Sequence, residues 1–232
     1  MLEVRDIHTY YGDSYILQGL SLQVDAGKIV AVLGRNGVGK TTLIRSIMGF
    51  TSPRAGTILL DGKDLTGLSP DRIARLGVGL VPQGRRIFGS LTVKENLAVG
   101  ERESTSSQRW SLSDVFGVFP RLQERLQFSG KSLSGGEQQM LACSRALVGN
   151  PRVMLMDEPT EGLSPLFVRE LGKLIHELRS RGTTVLLIEQ NLGFALRLAD
   201  YVYVMNKGQI VYESTPDELG ANEEIKGRFL GM

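Results

Sequence analysis

A chain of 232 residues with 41% hydrophobic content can bury a substantial core, and it suits one large α/β domain, or one domain with an inserted subdomain, better than two independent domains. With 27 Lys and Arg against 25 Asp and Glu, the charge is mixed and the electrostatic footprint is too weak to indicate a nucleic-acid partner. A single cysteine, Cys143, excludes an internal disulfide and a Cys-based metal cluster and fits a reducing compartment. No signal-peptide pattern opens the sequence. The apolar runs near residues 29–33, 153–156 and 184–188 have strand length, far below the roughly 18 residues of a membrane-spanning helix. The chain is therefore expected to be soluble in itself.

Residues 2–24, LEVRDIHTYYGDSYILQGLSLQV, predict two or three antiparallel strands around a Gly12-Asp13 turn, with Leu20, Leu22 and Val24 on one face. Tyr10 and Tyr11 stand at that turn, where an aromatic ring can stack on a flat ligand or simply pack at a strand edge. IVAVL, Ile29–Leu33, reads as a buried strand and runs into GRNGVGKT, a full match to the pattern GxxxxGK[ST]. That loop comprises Gly34, Arg35, Asn36, Gly37, Val38, Gly39, Lys40 and Thr41, followed by Thr42. Glycines at 34, 37 and 39 permit tight turns in which consecutive N–H groups point inward, an anion nest at the positive end of the next helix. Lys40 is then placed to reach the β- and γ-phosphates of a nucleotide, and the Thr41 hydroxyl to ligate Mg²⁺.

Leu43, Ile44, Ile47 and Met48 predict a helix that Gly49 closes; SPRAG marks a turn, and Ile58–Leu60 with Asp61-Gly62 a strand and tight turn. Pro70–Leu76 reads as a short helix with Ser69 as N-cap. The next strand, Val78–Gln83, delivers Gln83 to the C-terminal sheet edge, where open α/β sheets bind ligands. Residues 92–128 look helical, with a polar interruption at 101–111 that loops out. Ser134 and Glu137 form a capping box, so a helix runs from Ser134 to about Val148. Gly135 and Gly136 each lower helix propensity by about 1 kcal/mol relative to Ala, and open N–H groups beside a serine hydroxyl there make a second anion site.

VMLMDE, residues 153–158, is a strand ending in two carboxylates whose side chains oppose each other if the strand continues. Asp157 then serves the Mg²⁺ shell, and Glu158 orients or deprotonates the attacking water. An amphipathic helix at Pro165–Arg181, a strand ending in Glu189-Gln190-Asn191, a helix at 192–199, a hairpin at 201–213 and a helical tail complete the chain. His8 and His176 are read as surface or packing residues.

With GRNGVGKT, Gln83, LSGGEQQ and VMLMDE in this order, the chain resembles the ATP-binding cassette subunits of ABC transporters along essentially its whole length. LSGGEQQ is the most specific part of the match. The resemblance implies a RecA-like P-loop NTPase core of class α/β with an antiparallel β-subdomain, at about 1–85 and 151–232, and an inserted helical subdomain at about 86–150. It implies ATP and Mg²⁺ as ligands and head-to-tail pairing with a second cassette, so that Ser134, Gly135, Gly136 and Glu137 of one chain meet the γ-phosphate held by the other. Tyr11 corresponds to the adenine-stacking aromatic, Gln83 to the glutamine that senses Mg²⁺ and the membrane subunit, Asp157 to the metal-binding acid and Glu158 to the catalytic base.

Two positions depart from the family pattern: Gln190 stands where a histidine usually contacts the γ-phosphate, and Ser164 where an aspartate usually ends the loop after Glu158. A glutamine donates a hydrogen bond but carries no imidazolium charge. VPQGRRIFGSLTVKENL together with IEQN looks most like one of the two cassettes of branched-chain amino-acid importers, with urea or amide importers as close relatives. The implied partners are a second, different cassette that keeps the histidine, two membrane-spanning permease subunits and, indirectly, an extracytoplasmic solute-binding protein, with no nucleic acid. The implied location is the inner face of the cell membrane. Rival readings are a non-transport cassette acting in translation or DNA repair, a small-molecule kinase, for which LSGGEQQ has no use, and a regulatory cassette, against which Lys40, Asp157 and Glu158 argue.

Overall fold

Alternating burial builds the first layer. β1 (Leu2–Tyr11) and β2 (Ser14–Val24) form a hairpin that buries Leu2, Val4 and Ile7 against Leu20, Leu22 and Val24. The computed structural model describes residues 1–102 and 109–231. β3 (Ile29–Leu33) leads through the glycine loop into α1 (Lys40–Ile47), followed by β4 (Ala55–Leu60), β5 (Lys63–Asp64), α2 (Pro70–Arg75) and β6 (Val78–Val81). The antiparallel sheet expected before the glycine loop draws its other two strands from after it, in the order β2-β1-β4-β5. β4 begins earlier than Ile58 because Thr57 and Ala55 find partners in Arg5 and His8 of β1. Ser69 precedes α2 as expected, yet its hydroxyl bonds Asp71 Oδ1 at 2.6 Å and caps no backbone N–H.

Among the described residues β6 is followed by the α-helices α3 (Val93–Gly100), α4 (Leu112–Val118), α5 (Pro120–Glu124) and α6 (Gly135–Leu147). Capping boxes at Thr92/Glu95, Ser111/Asp114 and Ser134/Glu137 open three of them. α3 can lie close on α6 because Gly100 has no side chain; a Cβ there would stand 2.2 Å from the Arg145 carbonyl oxygen. Of the polar stretch expected to loop out, residues 101–102 and 109–111 are irregular and residues 103–108 lie outside the described residues.

The chain then returns through β7 (Val153–Asp157), α7 (Pro165–Ser180), β8 (Thr184–Glu189), α8 (Leu192–Leu198), β9 (Tyr201–Asn206) and β10 (Gln209–Ser214), ending in α9 (Pro216–Ala221) and α10 (Glu223–Ile225). The second sheet has the order β10-β9-β3-β8-β7-β6, parallel except for β10. Its central strands β3, β7 and β8 are buried on both faces, which explains their unbroken apolar runs. Val32, Leu155 and Leu186 pack toward α1 and the antiparallel sheet, whereas Met154, Met156 and Leu187 pack toward α6 and α7. Because these strands are parallel, the segments that follow β3, β6, β7 and β8 all leave the same edge of the sheet.

Arg181, just past α7, bonds Asp114 Oδ1 at 2.9 Å and lies 4.1 Å from the centre of the buried Trp110 ring, tying the inserted helices to the core. The Arg181 bond, with help from Ser111, holds the Asp114 carboxyl well below the usual carboxylate range. His8 bonds the Tyr15 hydroxyl on the antiparallel sheet and His176 is exposed on α7, so both are surface or packing residues. No helix among the described residues is long and apolar enough to cross a membrane.

Cys143 is fully buried in α6, and burial pushes its thiol up to about 12. Native protein treated with iodoacetamide at mildly alkaline pH should show negligible alkylation by mass spectrometry, and urea-unfolded protein should react fully. Rapid native labelling would contradict the packing of α6 against β6.

Candidate active site

The glycine loop spans Gly34–Gly39 between β3 and α1, and its last residue shows why glycine is needed. Gly39 has φ +112, and a Cβ there would fall 2.8 Å from Met205 Cε. Lys40 opens α1 with only 4% of its surface exposed. Its Nζ donates to the carbonyls of Gly34 at 2.7 Å and Arg35 at 2.9 Å and pairs with Glu158 Oε1 at 3.0 Å. One residue on, Thr41 Oγ1 donates to Asp157 Oδ1 at 3.3 Å.

Asp157 ends β7 and is buried. Desolvation pushes its carboxyl up to about 6; the neighbouring Glu158 charge adds to the shift, while the Thr41 hydrogen bond and the Lys40 charge oppose it. The expected alternation of the two acids fails, because the strand stops at Asp157. Glu158 has φ +48, with its N–H bonded to the Ile188 carbonyl at 2.9 Å. That left-handed turn costs roughly 1–3 kcal/mol and swings the carboxylate toward the loop rather than to the opposite sheet face.

There Glu158 collects three donors. Oε1 accepts from Lys40 and from Gln190 Nε2 at 2.9 Å, and Oε2 accepts from Gln83 Nε2 at 3.1 Å. Gln83 lies two residues beyond the end of β6, not within it, and also bonds Glu161 Oε2 at 3.0 Å. Gln190 reaches back to Asn36 Oδ1 in the glycine loop. Glu189 had been given no role by its sequence position beyond ending an apolar strand. It is buried and raised in pKa by desolvation, and it accepts hydrogen bonds from the N–H and hydroxyl of Thr160 and from the N–H groups of Gln190 and Asn191. Its function is to fasten the Gln190 turn to the segment after Glu158.

Tyr11 is 42% exposed at the end of β1. Tyr10 is instead used in packing: it stacks on Tyr15 with ring centres 4.4 Å apart and lies under the Arg54 guanidinium at 4.3 Å. The open ring of the pair is therefore that of Tyr11.

The second anion site is only partly as expected. Ser134 is exposed, with its hydroxyl accepting from the Glu137 N–H at 3.3 Å. Glu137 is buried and turned inward, accepting from the Ser134 N–H at 2.8 Å and pairing with Arg125 at 2.9 Å, so it holds the helix start and does not face a ligand. Gly136 is required by packing as well as by open backbone: a Cβ there would lie 2.2 Å from the Phe167 ring. Thus Gly34, Lys40, Thr41, Gln83, Asp157, Glu158 and Gln190 converge. Among the described residues no hydrogen bond or ion pair joins Ser134–Glu137 to that group.

The residues fit a magnesium–nucleotide complex. The Thr41 hydroxyl and Asp157 carboxylate are two facing hard-oxygen donors, while no cluster of three His, Cys, Asp or Glu side chains suited to a metal occurs among the described residues. That donor set suits Mg²⁺, which is bound through one or two side chains and completes its shell with water and substrate phosphates.

A parallel sheet whose edge carries a glycine cradle, a buried lysine and adjoining carboxylates defines a P-loop nucleoside triphosphatase. The family model for the ABC transporter matches residues 17–161. Over the full length of both chains the sequence is 40% identical to the high-affinity branched-chain amino acid transport ATP-binding protein BraG of Pseudomonas aeruginosa. It is 34% identical to the lipopolysaccharide export system ATP-binding protein LptB of Haemophilus influenzae, covering 100% of this chain and 97% of that one. A nucleotide-free ATP-binding cassette from an ABC transporter superposes with a TM-score of 0.82 at 30% identity, covering 98% and 94% of the two chains. The chain belongs to the ABC transporter family and is one of its ATP-hydrolysing cassettes.

The raised Asp157 pKa sets a stability test. Its folded value of about 6 exceeds the ordinary aspartate value of 3.8, so between these pH values the native state holds the proton that the unfolded chain has released. Stability of the nucleotide-free protein should therefore fall as pH rises from about 4 to about 6 and stay lowered above it, by on the order of 2–3 kcal/mol from this group. Asp157→Asn should flatten that part of the urea-denaturation profile; an unchanged profile would contradict the buried, weakly compensated carboxylate.

Proposed function

We propose that this cassette powers import of branched-chain, hydrophobic amino acids, with Glu158 as general base and Ser134–Gly136 of a second cassette closing over the nucleotide. The observation that carries the catalytic part is the convergence of Lys40, Gln83 and Gln190 on the Glu158 carboxylate. The solute assignment rests on the full-length 40% identity to BraG and on the resemblance of the segments around Gln83 and Gln190. A cassette of another ABC transport system is the second reading, favoured by the nearly equal coverage of LptB.

In this reading ATP stacks its adenine on Tyr11 and lays its phosphates in the glycine loop, where backbone N–H groups and Lys40 receive them. Thr41 and Asp157 hold Mg²⁺, which supplies charge neutralisation to the phosphates when bound. Lys40 leaves Glu158 for the phosphates, which frees Oε1 for a water molecule. Glu158 accepts that water's proton as its oxygen bonds the γ-phosphorus, and the bond to the leaving ADP oxygen breaks to give ADP and phosphate. Gln83 and Gln190 hold the carboxylate during the step through hydrogen bonds alone, since neither amide can gain charge.

The helices at about 86–150 form, in this proposal, the subdomain that moves as the pair of cassettes closes. The exposed side chains of Phe50, Phe88 and Val99, at 49%, 47% and 59%, border one groove between these helices and the core. Such an apolar rim on either side of a groove suits a helix of a membrane-spanning permease; in this reading the chain works at the inner face of the membrane, with a solute-binding protein acting on the far side. A different cassette carrying a histidine at the Gln190 position is the proposed pairing partner.

Glu158→Gln should keep Mg-ATP binding and lose about a hundredfold or more in turnover, the range ascribed to a positioned general base. Parental turnover in that variant would refute the base assignment. A photocrosslinker at Phe88 should capture an integral membrane protein from membranes containing the assembled transporter; capture of soluble proteins only would refute the docking surface.

A further inference from the structure

The six residues after β6 carry an unusual backbone. Gly84, Arg85 and Arg86 have φ +76, +68 and +48 in succession. For the two arginines the left-handed region costs roughly 1–2 kcal/mol each, and such strain persists only where the surroundings enforce it. They do so here from both ends. Gln83 is bonded to Glu158 and Glu161, and the Arg86 carbonyl accepts from Arg145 Nη2 at 2.6 Å. Arg145 in turn sits 4.8 Å from the Phe88 ring.

The strained turn aims the Arg85 guanidinium at the start of α6. A methyl on Gly135 would stand 2.7 Å from its Nη1 and 2.9 Å from its Nη2, and one on Gly162, just past Glu158, 3.6 Å from Nη2. Glycine at 135 is what makes room for the guanidinium. Arg85 is half-buried, and among the described residues it forms no ion pair and no side-chain hydrogen bond. A half-buried cation beside the positive end of a helix is unfavourable on its own. The group of Arg85, the Ser134 hydroxyl and the first N–H groups of α6 thus lacks an anion. The other half of the site has the opposite balance: Lys40 pairs with Glu158, and Asp157 and Glu161 belong to the same hydrogen-bonded group.

We infer that Arg85 is a phosphate ligand acting in trans, donating with Ser134 and the start of α6 to the γ-phosphate oxygens of ATP held in the partner cassette's glycine loop. This rests on the head-to-tail pairing proposed above. A planar guanidinium presents a fork of donors that matches phosphate oxygens and keeps its charge at any working pH. It also supplies positive charge where the transferred phosphoryl group gathers negative charge. The strain at Arg85 and Arg86 holds that fork in place before the partner arrives.

Three variants separate charge from backbone. Arg85→Gln should lower ATP turnover by about tenfold to a hundredfold, in line with removal of a transition-state donor, while Mg-ATP affinity of the dilute, unpaired chain stays within about twofold. Arg85→Lys should recover part of the turnover, because it keeps the charge without the fork. Arg85→Gly accepts φ +68 without strain, so its melting temperature should equal or exceed the parental value while its turnover falls like that of Arg85→Gln.

Parental turnover in Arg85→Gly, or loss of affinity in unpaired Arg85→Gln, would each overturn the trans role. A parental chain that neither binds nor hydrolyses Mg-ATP would instead sink the pairing and base assignments on which it rests.

Discussion

The site depends on one buried ion pair, Lys40 with Glu158. A lysine at 4% exposure cannot stay charged without a partner, and a carboxylate at 8% cannot either. The pairing joins the loop after β3 to the turn after β7. Through Gln83 and Gln190 it also draws in the segments after β6 and β8. Removing either charge would leave the other buried and uncompensated, which costs about 3–5 kcal/mol in comparable pairs. In the proposed mechanism a nucleotide relieves the constraint differently, since its phosphates offer Lys40 a new anion and leave the carboxylate to water.

The sheet geometry also explains why, in the proposed pairing, one chain holds half a site. The parallel sheet gathers the glycine cradle, Thr41, Asp157 and Glu158 on a single edge, whereas α6 starts elsewhere, with Ser134 exposed and Glu137 turned inward to close its own cap. Glycine is demanded on both sides for different reasons. Gly39 needs a left-handed backbone beside Met205, and Gly136 must pass under the Phe167 ring.

Much of this was legible from residue order. The run IVAVL followed by GRNGVGKT specified strand, loop and helix, and Ser134 with Glu137 specified where α6 begins. The burial of Leu171, Leu174, Ile175 and Leu178 follows their helical spacing on α7. What spacing could not show depends on contacts between distant segments. The period-two rule put Glu158 on the wrong face because the strand ends one residue earlier, at a left-handed turn. The capping box named Glu137, but only packing against Arg125 shows that its carboxylate is occupied. The roles of Glu189 with Thr160 and of Arg85 beside Gly135 required pairings over long sequence separations that no local pattern encodes.

The most direct test of the Lys40–Glu158 constraint is a double-mutant cycle on the nucleotide-free protein, with urea unfolding of the parent, Lys40→Met, Glu158→Gln and the double variant. A shared buried charge pair predicts that the two losses are far from additive, with a coupling on the order of 1–3 kcal/mol and the double variant more stable than the sum of the single losses allows. Losses that add to within about 0.5 kcal/mol would mean that the pair does not organise the site.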